Sequence, residues 1–349
     1  MYKYSHGGDI YSYDGTQILD FSANINPLGL PSGVKRAIIE ATDFCDIYPD
    51  PLNRNLRQAI SSFENIPINY IFCGNGAADL LFRLCIALKP KKALLAVPSF
   101  SEYREALNSV DCQIAYHYMT EANGFNLTES YLDTISSDID LAFLCNPNNP
   151  TGHLIERSLL GQIVKKCYKC GVVLVIDECF VDFVSNAPDC TVKNWLTRYP
   201  NLVVLKAFTK MYAMAGVRLG YGFCHNPHLL DSIYQNGQPW NVSTLAQAAG
   251  IAATQEKAYV DKSLKIISKE RQLLSQALTD YGCQVYHSQA NFIFFKCSNL
   301  NLKEQLLDQN ILIRSCENYL GLGPGYFRIA VKLPLENATL IRALKKLNQ

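Results

Sequence analysis

The sequence has no long run of one charge sign, no internal repeat and no low-complexity tract. With 32 basic and 31 acidic side chains its formal net charge is +1, so it lacks the basic face that nucleic acid or an anionic membrane surface would demand. Any concentration of positive charge must be local, around a small anion. No apolar stretch approaches the roughly twenty residues that cross a bilayer. The start, residues 1–9, has neither the apolar core of a secretory leader nor transit-peptide character, which leads us to expect a cytoplasmic protein. The thirteen cysteines are odd in number and irregularly spaced, and many, such as Cys85, Cys145, Cys179 and Cys224, sit in apolar runs. That argues against a disulfide scaffold and for buried thiols in a reducing compartment. Cys167 and Cys170 have CxxC spacing without a second pair, so no structural metal is expected.

What the chain does have is 349 residues, 48% of them hydrophobic, enough for a large domain with a smaller partner. Short β-rich apolar runs at 93–97, 141–145, 172–176, 202–205 and 221–224 alternate with helix-spaced stretches such as 77–88 and 158–170. This alternation implies a mostly parallel sheet covered on both faces, with ligands at the carboxyl ends of its strands. After about residue 254 the texture changes to a charged helical stretch at 257–281, strands at 291–297 and 327–331, and a closing helix at 336–347. We expect a large domain over 42–254 and a smaller α/β domain from 1–41 and 255–349. A short strand at 18–21 and the Pro/Gly-punctuated loop at 26–31 should join the smaller domain or the cleft.

Candidate chemistry gathers around Lys210. A hydroxyl, Thr209, precedes it, a small-residue turn follows, and Arg218 lies eight positions on. A lysine beside a loop is the plain alternative. Asp177 ends the run at 172–176, where a carboxylate either points into the ligand crevice or caps the next helix. Asn146-Pro147-Asn148-Asn149-Pro150-Thr151-Gly152 follows another strand, and a run of this kind is much rarer than an ordinary Asn-Pro turn. Gly74-Asn75-Gly76-Ala77-Ala78 opens a helix with residues small enough for backbone N–H groups to approach an anion. Phe100 and Tyr103 are rival aromatics one strand later, and either also suits a core.

Taken in this order, the segments resemble the type I pyridoxal phosphate (PLP) enzymes, the aspartate aminotransferase fold family, through most of the large domain. The resemblance implies the PLP-dependent transferase type I fold: α/β, with a mixed, mostly parallel seven-stranded sheet. It implies catalytic roles for Lys210, which would carry the cofactor as a Schiff base, and for Asp177, which would face the pyridine nitrogen. Phe100 or Tyr103 would stack on the ring and Asn149 would donate to the ring oxygen. Gly76, Ala77, Ala78, Thr209 and Arg218 would hold the phosphate.

The edges of the chain narrow the likeness. His6-Gly7-Gly8, Asp20-Phe21-Ser22-Ala23-Asn24-Ile25-Asn26-Pro27, Tyr48-Pro49-Asp50-Pro51, Gln238-Pro239-Trp240-Asn241 and Ile313-Arg314-Ser315-Cys316-Glu317-Asn318-Tyr319 resemble the threonine-phosphate decarboxylases, relatives of histidinol-phosphate aminotransferase. That resemblance implies decarboxylation of L-threonine O-3-phosphate to (R)-1-aminopropan-2-yl phosphate, or of L-serine O-phosphate to ethanolamine phosphate, for the nucleotide loop of cobalamin. It places His6, Gly7, Asn24, Asn149, Arg314 and Arg328 around a phosphorylated amino-acid substrate. It also implies a homodimer with shared active sites, in which Tyr48 reaches the PLP phosphate of the neighbouring subunit. Guanidinium forks suit both a carboxylate and a phosphate, and the sequence leaves open which arginine takes which.

Two departures stand out. Ala207 replaces the hydroxyl that the family usually carries three residues before the lysine, and Phe180 stands where aminotransferases often have tyrosine. The second favours the decarboxylases, which resemble this chain in having phenylalanine there. A histidinol-phosphate-type aminotransferase is the alternative, and a non-catalytic PLP-fold binding protein a remote one. Which bond breaks depends on how the substrate is held, and residue spacing does not give that angle.

Overall fold

The computed structural model describes residues 6–13 and 17–347. Among these residues thirteen strands run in chain order: β1 (Leu19–Asp20), β2 (Ile71–Gly74), β3 (Lys92–Val97), β4 (Gln113–Tyr118), β5 (Leu141–Cys145), β6 (Val173–Asp177), β7 (Leu202–Ala207), β8 (Gly220–Cys224), β9 (Gln284–Val285), β10 (Phe292–Lys296), β11 (Ile311–Leu312), β12 (Arg314–Ser315) and β13 (Tyr326–Ala330). Seven form one sheet in the order β2-β8-β7-β6-β5-β3-β4. Neighbours from β4 to β7 pair in parallel, whereas β8 runs antiparallel to both β7 and β2. This is the mixed, mostly parallel seven-stranded sheet expected.

Between β3 and β5 the chain order reverses direction across the sheet, which opens a crevice at the carboxyl ends of the strands. Those ends deliver Pro98–Phe100, the Asn-Pro run, Asp177 and the Lys210 turn to one edge. Because β8 is antiparallel, its start brings Arg218 to the same edge.

The helices follow from their apolar spacing. Helix Ala77–Leu88 buries Leu80, Leu81, Leu84 and Cys85, one face at the helical period, against the sheet. Each buried leucine stabilises the packing by about 1.5–3 kcal/mol. The helix starts after Gly76 at φ +84° and stops at Lys89 in the left-handed region, just before Pro90. Helix Arg157–Cys170 is capped by the Glu156 carboxylate, which accepts from the Ser158 and Leu159 N–H groups, and it ends at Gly171 with φ +74°.

The second sheet is antiparallel, in the order β12-β13-β10-β9, and β1 pairs in parallel with β11 beside it. The expected strand at 18–21 therefore joins the C-terminal elements.

Two strands of the large sheet escaped the sequence reading, both at its edges, as did the two-residue strands β9, β11 and β12. β2 is only four residues long and ends in glycine. β4 reads Gln-Ile-Ala-Tyr-His-Tyr, too polar to register as an apolar run. All thirteen cysteines are free thiols and ten are buried. Among the described residues no group of three or more His, Cys, Asp or Glu could hold a metal ion, and no helix is long and apolar enough to cross a membrane.

Candidate active site

Lys210 sits on a single helical turn, Phe208–Met211, directly after β7. Burial lowers its amine to about 8 from an ordinary 10.5, with the Arg328 and Arg218 charges adding to the effect and Cys179 and Asp177 opposing it. The turn is clamped from the N-terminal loop. Asn26 N–H donates to the Lys210 carbonyl at 3.1 Å, and its side-chain amide donates to the Met211 carbonyl and to Ser263 Oγ, both at 2.7 Å. The sequence reading treated Asn26 only as part of a motif, because its partners lie 185 and 237 residues away.

Lys206, the other lysine of that window, points away from the site. Its ammonium bonds Glu64 Oε1 at 2.6 Å and Asp182 Oδ1 at 2.8 Å. Those two carboxylates overcome burial and raise its pKa.

Asp177 lies on the floor of the cavity that Lys210 lines, with Cys179 N–H donating to Oδ1 at 2.9 Å and Tyr103 O–H to Oδ2 at 2.7 Å. The segment that follows is a short 3-10 turn, so Asp177 does not cap an α-helix. Tyr103 is fully buried and stacks on Phe143 at 5.2 Å. Burial, with Asp177 adding to it, pushes its phenol pKa well above the usual value, so the hydroxyl is a lasting donor. Of the two, Phe100, in edge contact with Tyr103, lines the cavity, as Phe180 also does. The structure thus separates the two rivals, with Phe100 at the wall and Tyr103 behind Asp177.

Opposite Asp177 lie Ala77 and Ala78 at the helix start, Thr209, and Arg218. A Cβ on Gly76 would come within 2.6 Å of Arg218 Nη2, and φ there is +84°, so only glycine lets the guanidinium settle over this helix start. Arg218 is itself held at φ +63°. Ala207 lines the same wall and contributes no hydroxyl.

A wider cavity of about 410 Å³ adjoins the first and also holds Lys210. His6, Gly7, Asn24, Asn149, Arg314 and Arg328 all line it. Arg314 on β12 and Arg328 on β13 are direct register partners. Like charges placed opposite one another repel, so the pairing costs stability that an anion between them would return. Arg328 is 5% exposed, bonding Asn149 Oδ1, Tyr319 Oη at 3.3 Å and the Ser22 carbonyl at 3.0 Å. No carboxylate among the described residues pairs with it. Arg314 donates to Asn318 Oδ1 at 2.8 Å.

The N-terminal arm closes this cavity. A Cβ on Gly7 would lie 2.2 Å from the Ser22 carbonyl oxygen, and Gly8 N–H donates to Ser22 Oγ at 2.7 Å. His6 Nε2 is 2.8 Å from Glu102 Oε1. Asn24 is buried, and its Oδ1 has no hydrogen-bond partner among the described residues.

Tyr48 is the expected residue that the fold does not bring to this chain's own cavity. It is 77% exposed and stacks on Trp240 at 4.6 Å. Ser22 and Tyr319, which the sequence reading named only within motifs, and Glu102, which it did not name, also line this cavity.

The pocket suits PLP by its own chemistry. It offers an amine whose lowered pKa favours the neutral form, a carboxylate floor, an aromatic wall, and a helix start with a guanidinium where a Cβ would intrude.

Residues 16–347 match the family described as aminotransferase class I and II. The chain is 37% identical to threonine-phosphate decarboxylase of Salmonella typhimurium, over 99% of this chain and 97% of that one. Among solved structures it superposes on the histidinol-phosphate aminotransferase of Clostridium acetobutylicum with a TM-score of 0.88 at 30% identity, covering 94% and 98% of the two chains. The L-threonine-O-3-phosphate decarboxylase of Porphyromonas gingivalis gives 0.83 at 25% identity over the same shares.

Proposed function

The chain belongs to the aminotransferase class I and II family, and from that premise we propose that it is a PLP-dependent decarboxylase of a phosphorylated hydroxy-amino acid. The reaction is L-threonine O-3-phosphate to (R)-1-aminopropan-2-yl phosphate and carbon dioxide, with L-serine O-phosphate as the substrate one methyl smaller. The product serves cobalamin biosynthesis. The observation that carries this reading is the Arg314–Arg328 register pair, which opens on the cavity shared with Lys210 and makes room for two anionic groups on one amino acid.

Bound PLP supplies an electron sink for the pair left on Cα when the carboxylate departs. Lys210 would hold it covalently, Asp177 would keep its ring nitrogen protonated, and Phe100 would cover its face. Arg218, Thr209 and the N–H groups of Ala77 and Ala78 would take its phosphate. With Oδ1 turned to Arg328, Asn149 keeps its amide N–H to donate to the ring oxygen. The two arginines bind the carboxylate and phosphate of the substrate, and His6, Gly7 and Asn24 exclude water from above. How Arg314 and Arg328 would hold the carboxylate decides whether it or the Cα proton is lost, so orientation separates this reaction from transamination.

The large sheet over 42–254 forms the cofactor domain in this reading, and 1–41 with 255–349 form the substrate-closing domain. The enzyme works in the cytoplasm as a homodimer that shares its active sites through Tyr48.

The test incubates the PLP-loaded enzyme separately with threonine phosphate, serine phosphate, and histidinol phosphate plus 2-oxoglutarate. Release of carbon dioxide and the matching amine phosphate is expected from one or both phospho-amino acids. Glutamate formation from histidinol phosphate, without carbon dioxide from the other two, would instead make the chain an aminotransferase. A loaded protein inert to all three would support a silent binding module.

A further inference from the structure

We propose that Cys283 and Cys297 form a two-thiol oxidation site, which closes to an intrachain disulfide under a peroxide-class oxidant. The register of the small sheet brings them together. Val285 pairs with Phe295 and Gln284 with Lys296 across β9 and β10. Tyr286 N–H donates to the Phe294 carbonyl at 3.0 Å, so that pair is of the hydrogen-bonded kind. Pairs alternate along an antiparallel ladder, so one step past Gln284–Lys296 makes Cys283–Cys297 a non-hydrogen-bonded pair.

That kind brings side chains closest, with Cα atoms about 4.5 Å apart, inside the roughly 4.4–6.8 Å span of a disulfide. The backbones agree. Cys297 N–H turns away to the Gly325 carbonyl at 2.8 Å, and Cys283 N–H turns back to the Leu278 carbonyl at 2.9 Å. Both side chains are buried. Exposed Gly282, Gln284 and Ser298 flank them, so the pair lies one residue below solvent.

The thiols are not equivalent. The interaction between the neighbouring thiols raises the pKa of Cys283 and lowers that of Cys297. Cys297 is therefore the attacking thiolate and Cys283 the resolving thiol. The Cys297 sulfur attacks one peroxide oxygen and the O–O bond breaks, giving a sulfenic acid and, after proton uptake, water. The Cys283 sulfur, losing its proton, then displaces the sulfenic oxygen as a second water and forms the S–S bond. The two thiols lose two electrons, which reduce one peroxide to two waters.

The bridge ties the end of helix Lys257–Asp280 to the end of β10. It leaves the pairing of β10 with β13, and so Arg328, in place.

The experiment treats the PLP-loaded enzyme with hydrogen peroxide, blocks remaining thiols under denaturing conditions, and maps the peptides. A linked 283–297 peptide that has lost the mass of two hydrogens is expected, with activity kept and Tm raised by several degrees. Cys283→Ser should accumulate a dimedone-trappable sulfenic acid at Cys297, whereas Cys297→Ser should give neither that adduct nor the bridge. Full alkylation of both residues after oxidation of other cysteines would overturn the proposal, and the wild-type map reads this without any variant.

Discussion

Lys210 carries the sharpest consequence at the scale of single residues. Its amine is lowered to about 8 first by burial and then by Arg328. Between about 8 and 10.5 the unfolded chain keeps a proton that the folded chain has shed, so the stability of the cofactor-free protein rises with pH across that window. Competitive acetylation of the cofactor-free chain, read by peptide mapping, should show Lys210 titrating near 8 and Lys206 protected by its two carboxylates. Arg328→Ala removes a repelling charge and should move the Lys210 midpoint upward. An unmoved midpoint would leave burial and Arg218 as the causes. Asp177→Asn should retain PLP but lose most turnover. Tyr103→Phe removes one of two bonds to Asp177 and should cost about 1.5 kcal/mol, roughly tenfold in kcat/KM. Equal effects in the two variants would show that Tyr103 does more than position the carboxylate.

Between elements, two arrangements decide behaviour. The first is the Arg314–Arg328 pair across β12 and β13. Replacing either by Ala leaves an anionic substrate group without its partner, at a cost of about 2–5 kcal/mol. KM for the phospho-amino acid should rise steeply while the visible band of the bound cofactor persists. The ratio of phosphorylated to unphosphorylated substrate turnover identifies which arginine takes the phosphate, and an unchanged ratio in both variants would exclude phosphate recognition by this pair. The second is a buried network in which Glu64 joins its helix to β7 and β8. Its carboxylate accepts from Lys206, Lys193 and Tyr221, each at 2.6 Å. Burial alone would raise its pKa, but the two lysines prevail and hold it at about 2. Its contribution is full above about 4.5 and is lost as pH falls toward 2. Glu64→Ala strands buried lysine charge and should destabilise by about 3–5 kcal/mol in urea unfolding. A loss below 1 kcal/mol would mean that Asp182 alone satisfies Lys206.

For the whole molecule, the informative surface surrounds Tyr48. Ile39, Phe44, Ile47, Leu52 and Trp240 are exposed with it, and Tyr48 stacks on Trp240. If Tyr48 completes the site of a second copy, Lys210→Ala and Tyr48→Phe chains are each impaired alone but complement when refolded together. Heterodimers then carry one intact site, and roughly a quarter of wild-type activity should return by the statistics of a two-fold dimer. No recovery, with heterodimers present by native mass spectrometry, would confine Tyr48 to its own chain.

The sequence by itself determined the alternation of strand and helix, the sheet class, and the identity of Lys210, Asp177, Asn149 and Arg218 as site candidates. Each is written in local pattern, such as an apolar period, a strand end or a turn residue. Its reach failed where an edge strand was short, as in the four-residue buried β2, or polar, as in the half-exposed β4, which needs little apolar surface. Tertiary structure alone decided that Phe100 rather than Tyr103 lines the cavity, because both fit the same short segment and only packing on Phe143 separates them. It alone set Arg314 opposite Arg328, tied Asn26 to the Lys210 turn, and joined Glu64 to Lys206. Those contacts link residues from 14 to 185 positions apart, and a partner that distant leaves no trace in the local pattern of either residue.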